Sequence, residues 1–161
     1  MTEQHRCVYV GDDGTFRVVE ITADDQGLLD PLQQLVDGYF ELVPGGGVVV
    51  PTEGGAPEAV DVWVNEDVRF RSDLEPNIHV VALLRYPVAL RGPAVVTLTD
   101  GEGNTGGLPE HLIAAARSVL VEAGVEELAT TGVEEAAAQQ QAARQERSAT
   151  AGHPAGNRTA V

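Results

Sequence analysis

Four groups of residues in this 161-residue chain are of types and spacings that do chemistry. Gly101-x-Gly103-x-x-Gly106 follows a β-prone run and precedes a helical one, where a dinucleotide fingerprint lets backbone approach a pyrophosphate. The motif comes late, no clear parallel strand is expected after the helix, and Asp100 and Glu102 would repel phosphates. A flexible glycine loop accounts for it better, and a Walker loop is impossible in a chain without lysine. Asp100-x-Glu102-x-Asn104 has the spacing of a calcium loop, but Thr105 stands where glycine is required and His111 where the bidentate glutamate belongs. Glu110-His111 opens a helix and has the acid and imidazole of an acid–base pair, although Glu110 is equally favoured there by the helix dipole. Finally, Asn65-Glu66-Asp67 closes a strand and Asn77 follows; amides and carboxylates there suit a polar ligand or cation, as well as ordinary turn chemistry.

No nucleophile motif accompanies these groups, so no catalytic residue, cofactor or metal ligand is assigned. The remaining histidines, His5, His79 and His153, are scattered; His5-x-Cys7 lies at a start that reads as frayed, and His153 lies in the tail. A single cysteine, Cys7, excludes an internal disulfide and a cysteine-rich zinc site. The candidate ligand-binding set is therefore Asn65, Glu66, Asp67, Asn77, Glu110 and His111.

The clearest element is 60–65, where Val60, Val62 and Val64 share one strand face and Asp61, Trp63 and Asn65 the other. Residues 6–21 read as a β-hairpin turning at Gly11-Asp12-Asp13-Gly14. A short helix follows, with Asp30 as N-cap, Pro31 at its first position, Leu32, Leu35 and Val36 as its apolar stripe, and Gly38 as its left-handed end. Residues 39–43 make a strand pairing antiparallel with 60–65, and Val48–Val50 a short edge strand within the Gly- and Pro-rich segment 44–57. Asn77 is placed to cap the next element, and 78–84 fit a helix or a strand. Residues 94–99 are a strand. Leu112, Ala115, Ala116, Val119, Leu120 and Ala123 mark the strongest helix, opened near Pro109 and ended by Gly124.

From 128 the composition changes. Thr131 and Glu134 fit a capping box, and 133–147 are rich in Ala, Gln, Glu and Arg, with almost nothing large and apolar to dock. After Ser148 the composition favours disorder. These elements make an α+β fold, a mostly antiparallel sheet covered by two or three helices with a weakly structured C-terminal tail. The expected division is one α+β domain over 1–127 and a helical or disordered tail over 128–161.

All ten basic residues are arginine, and the formal net charge is −15. Residues 1–66 carry −11 of it, 67–127 carry −4, and 128–161 are neutral. Such a field repels phosphates and anionic bilayers, which argues against direct nucleic acid or membrane binding and for a protein partner, a basic or nucleic-acid-binding one in particular. The polar start and lack of a long apolar run point to the cytoplasm. Residues 1–66 carry enough carboxylate for a DNA mimic if the acids share one face. The alternative is a small-molecule binder or minor enzyme with a polar pocket at the strand ends, lined by Asn65, Asn77, Glu110 and His111.

Several pieces, in this order, resemble a family found in bacteria and phages, the domain of unknown function 3846 family. They are Gly38-Tyr39-Phe40-Glu41-Leu42-Val43, Val62-Trp63-Val64-Asn65-Glu66-Asp67, Pro76-Asn77, Gly92-Pro93-Ala94-Val95-Val96 and Gly107-Leu108-Pro109-Glu110-His111. The resemblance covers roughly 28–112. It implies a setting in phages, plasmids or their hosts, and carries no established activity or catalytic residues.

Overall fold

The computed structural model describes residues 4–23, 25, 27–43, 48–50, 58–67, 75–80, 90–99 and 102–159. Alternation of β-branched residues builds its sheet. Strands β1 (Gln4–Val10) and β2 (Thr15–Thr22) form the expected hairpin, with Val8 opposite Val18. Asp13 holds the turn by accepting from both the backbone N–H and the hydroxyl of Thr15, and Gly14 takes φ +87°. Strand β3 (Phe40–Leu42) pairs antiparallel with β5 (Glu58–Asn65), and β4 (Val48–Val50) pairs with the first half of β5. Strand β6 (Ala94–Thr99) runs between β5 and β1, antiparallel to both.

The main path through the sheet is β3-β5-β6-β1-β2-β8, where β8 is Glu126–Glu127. Short β7 (Thr105–Gly106) folds back on β6, and β9 (Thr131–Gly132) lies beside β2. Both β8 and β9 run parallel to β2, which corrects the expectation that no parallel strand follows the second helix. They are only two residues long, so composition could not reveal them.

Each face of the sheet is covered. On one, Val8, Val10, Phe16, Val18, Val60, Val62, Val64, Ala94 and Val96 meet Leu112, Ile113, Ala116 and Leu120 of α2 (Glu110–Glu122). On the other, Cys7, Tyr9, Val19, Ile21 and Val95 meet Leu28, Leu32, Leu35 and Val36 of and before α1 (Leu29–Val36), together with Ala136 of α3 (Val133–Thr159). Burying a side chain of Val or Leu size stabilises by ~1.5–3 kcal/mol, so two such layers supply the main driving force of a chain with few aromatics.

Four local expectations are corrected. Helix α1 begins at Leu29 with Leu28 as N-cap, so Asp30 and Pro31 lie inside its first turn, where an acid still suits the helix dipole. Its left-handed end is Asp37, at φ 59° and ψ 53°, while Gly38 takes φ 145°. Helix α3 begins at Val133, placing Thr131 in β9 with its hydroxyl donating to the Gly132 carbonyl rather than capping the helix. His5 and Cys7 are also not frayed: both belong to β1, and Cys7 is fully buried. In the glycine motif, Thr105 and Gly106 pair back along Leu98 and Thr99, while Asp100 and Gly101 lie outside the described residues. Most of the helix-or-strand question over 78–84 also falls outside them, from Val81 onward.

Candidate functional site

Asn65 ends β5 on the face that carries Asp61 and Trp63, and it is 1% exposed. Its Nδ2 donates to the carbonyls of Val36 at 3.0 Å and Asp37 at 2.9 Å, and its Oδ1 accepts from the Asp67 N–H at 2.7 Å. The last carbonyls of α1 lack helical partners, and this amide supplies them. Gly38 makes room for it, since a Cβ there would stand 2.7 Å from Asn65 Nδ2.

Asn77 does the same for other loops. It is 1% exposed and donates through Nδ2 to Val10 O at 3.2 Å and Gly92 O at 2.8 Å. Its Oδ1 accepts from the Val80 N–H at 3.1 Å, as an N-cap residue does. Both asparagines thus spend their amides on backbone groups, at the β sheet end where β5 and β1 finish and β6 begins.

Glu110 and His111 lie at the opposite end of the sheet. They open α2 beside the start of β1, where Glu110 Oε2 accepts from Arg6 at 2.9 Å. Gly107 packs there so closely that a Cβ would stand 2.8 Å from the Arg6 nitrogen; its N–H donates to His5 Nδ1 at 3.2 Å and Leu108 N–H to Arg6 O at 2.7 Å. The candidate ligand-binding residues therefore form two groups. Asn65, Glu66, Asp67 and Asn77 are at one end, and Glu110 and His111 are at the other.

Around Asn65 the surface is acidic and partly apolar. Glu66 and Asp67 are exposed, Glu66 N–H donates to Tyr39 O at 2.9 Å, and Asp37 and Glu41 are exposed nearby on the same turn and strand. On the same edge segment Tyr39 is 67% exposed and Leu42 47%, on opposite faces of β3. On the Leu42 face Phe40 and Trp63 pack edge to face with centroids 5.1 Å apart, and Trp63 Nε1 donates to Thr97 Oγ1 at 2.8 Å. Thr99 Oγ1 donates to Asp61 Oδ2 on the same sheet face.

The sequence reading overlooked a second polar place, the cleft between α1 and α3. Arg144, whose side chain is 9% exposed, donates to Asp37 Oδ2 at 3.2 Å. Gln140 is 6% exposed, and its buried Oε1 has no hydrogen-bond partner among the described residues. An unpaired buried polar atom costs ~1–3 kcal/mol. Ala136, Gln140 and Arg144 stand at i, i+4 and i+8, so one helical stripe docks α3 with an alanine and two long polar residues. That spacing was visible, but without large apolar residues it gave no hydrophobic signal. Tyr9, buried below, donates its hydroxyl to Leu35 O at 2.7 Å, and burial pushes its own ionisation far up.

With these sites placed, comparison decides the lineage. A family model described as a domain of unknown function (DUF3846) matches residues 5–121. The chain belongs to that family. No curated protein and no solved structure matches it. The DUF3846 match runs from the first strand almost to the end of α2, so it includes the Asn65 corner and the Gly107–His111 segment. The α3 wall of the cleft lies beyond it.

Proposed function

We propose that this protein is a binding module, of a mobile element or its host, that recognises a basic protein surface through the sheet edge that carries Asp37, Tyr39, Glu41 and Leu42 and the adjoining turn of Glu66 and Asp67. One observation carries this reading: the edge segment that holds the exposed acids Asp37 and Glu41, and pairs with the turn of Glu66 and Asp67, also exposes Tyr39 by 67% and Leu42 by 47%. Exposed aromatic and aliphatic anchors provide contact area, while the acids draw in and orient cationic partners. The net charge of −15 works in the same direction over longer range.

A phosphate-like strip is less well supported. Among the acids of residues 1–66, Glu20 lies on β2 near one edge of the sheet, whereas Glu41 and Glu66 lie at the other. The small-molecule alternative needs Asn65 and Asn77 to turn away from backbone carbonyls they already satisfy.

The test is fluorescence anisotropy with a labelled arginine- and lysine-rich peptide at low and high salt. Binding that weakens with salt is expected, as surface charge pairs are screened. Replacing Glu41, Glu66 and Asp67 by Gln, Gln and Asn should weaken it roughly tenfold, and Tyr39→Ala by a similar factor. A control variant removes three exposed acids elsewhere, Glu102, Glu122 and Glu126. Equal losses in both triple variants would mean that bulk charge, and not this corner, attracts the peptide.

A further inference from the structure

We infer that the basic partner docks as an added β-strand, an extended segment of alternating basic and apolar residues laid along β3. The inference rests on the reading of that sheet edge as the binding surface, and adds how the partner is held and which sequence it carries.

The two edges of the sheet are built differently. At one, β2 is flanked by β8 and β9, two residues each, and the chain then passes into α3, which leaves little strand to extend. At the other, β3 ends the path, and no strand lies beyond it among the described residues. Its pairing with β5 continues past both ends of β3: Tyr39 O accepts from the Glu66 N–H at 2.9 Å, and the Val43 N–H donates to Val62 O at 2.9 Å. Residues 39, 41 and 43 therefore turn their backbone groups to β5, and Phe40 and Leu42 turn theirs to the open side. Outward N–H and C=O groups on an edge are a template for a further strand. Tyr39, Glu41 and Leu42 are all exposed, so this edge is open among the described residues.

The side chains select the occupant. The register sets Tyr39, Glu41 and Glu66 on one face and Phe40, Leu42 and Trp63 on the other. In an added strand, every second side chain lies beside Tyr39 and Glu41, where a guanidinium pairs with carboxylate and stacks on the ring. The alternate ones lie beside Phe40 and Leu42, where apolar side chains are favoured. A second copy of this chain fits worse, since joining two such edges brings like charges together.

The experiment is a titration of the full-length labelled protein, by NMR and anisotropy, with an octapeptide alternating arginine and valine and with a block octapeptide of the same composition. The alternating peptide is expected to bind roughly tenfold more tightly, because only it presents arginine and valine to separate faces. Its binding should slow hydrogen exchange of the Phe40 and Leu42 amides. N-methylating one of its two residue sets should weaken binding roughly tenfold and N-methylating the other should not, since only alternate backbone groups face the edge. Antiparallel addition turns the valine amides to the edge, and parallel addition the arginine amides.

Equal affinity of the alternating and block peptides, unchanged exchange at Phe40 and Leu42, or tolerance of both methylation patterns would overturn the inference. Salt-sensitive binding of both peptides with equal affinity leaves the acidic-edge reading standing while strand addition falls; if neither peptide binds, both fall. A dimer in sedimentation that the alternating peptide disperses would assign the edge to a second copy, and overturns the inference too.

Discussion

Asn65 Nδ2 lies 2.9 Å from the carbonyl oxygen of Asp37, so a buried strand amide closes a helix whose C-cap residue is left-handed. Asp37 is the one non-glycine residue with positive φ among those described, a conformation aspartate tolerates better than most. The same residue turns its carboxylate to Arg144. Asp37 therefore ties α1 to the sheet through its backbone and to α3 through its side chain.

Asn65→Asp should destabilise the protein by ~2–4 kcal/mol, since a carboxylate would face two carbonyls that now receive N–H bonds. Denaturant unfolding measures this. The loss should be smaller at acidic pH, where the new carboxyl is protonated and can donate once. A loss below ~0.5 kcal/mol at neutral pH would show that water replaces the staple without cost.

Gly107→Ala should cost ~1–3 kcal/mol. The new Cβ would meet Arg6 nitrogen at 2.8 Å and Arg6 oxygen at 2.9 Å, and backbone in a paired strand cannot move aside as a side chain would. Gly132→Ala is the control, since a Cβ there has nothing within 4 Å. Equal thermal stability of the two variants would show that the α2 approach to β1 is looser than these distances require.

Cys7 is fully buried, and burial pushes its thiol from 9.0 up to about 12. The folded state thus keeps its proton where the unfolded state loses it. The stability from this difference is fully present below pH 9 and is lost as pH rises toward about 12. Within that window the thiol contributes a slope of ~1.4 kcal/mol per pH unit. Cys7→Ala should flatten the alkaline decline. The native thiol should also resist a disulfide reagent at pH 8 until the protein unfolds; rapid labelling of folded protein would contradict this burial.

Ending the chain after Glu127 tests the proposed division at that point. The sheet, α1 and α2 should still fold, because both core layers draw most of their side chains from 1–127. Tm should fall by about 5–10 °C, corresponding to ~2 kcal/mol, as Ala136 and the partly buried Val133 no longer cover the second layer. Loss of cooperative unfolding would place α3 inside the folding unit.

Much of this architecture is legible in local pattern. Alternating valines at 60, 62 and 64 mark one strand face, the glycine-containing turn at 11–14 marks the hairpin, and the stripe through Leu112, Ala116 and Leu120 marks α2. Those signals survive because burial of one face imposes a period that neighbouring residues carry. The roles of the polar residues were decided elsewhere. Asn65 finds its carbonyls 28 and 29 residues away and Asn77 finds Val10 O 67 residues away, so no local spacing separates a structural amide from a ligand-binding one. Likewise Ala136 and Arg144 acquire a docking face only because α1 presents its apolar side chains to the one and Asp37 to the other. Sequence determined which faces are apolar, since that depends on neighbours along the chain; tertiary structure decided what each polar atom bonds to, since that depends on groups brought together from far apart.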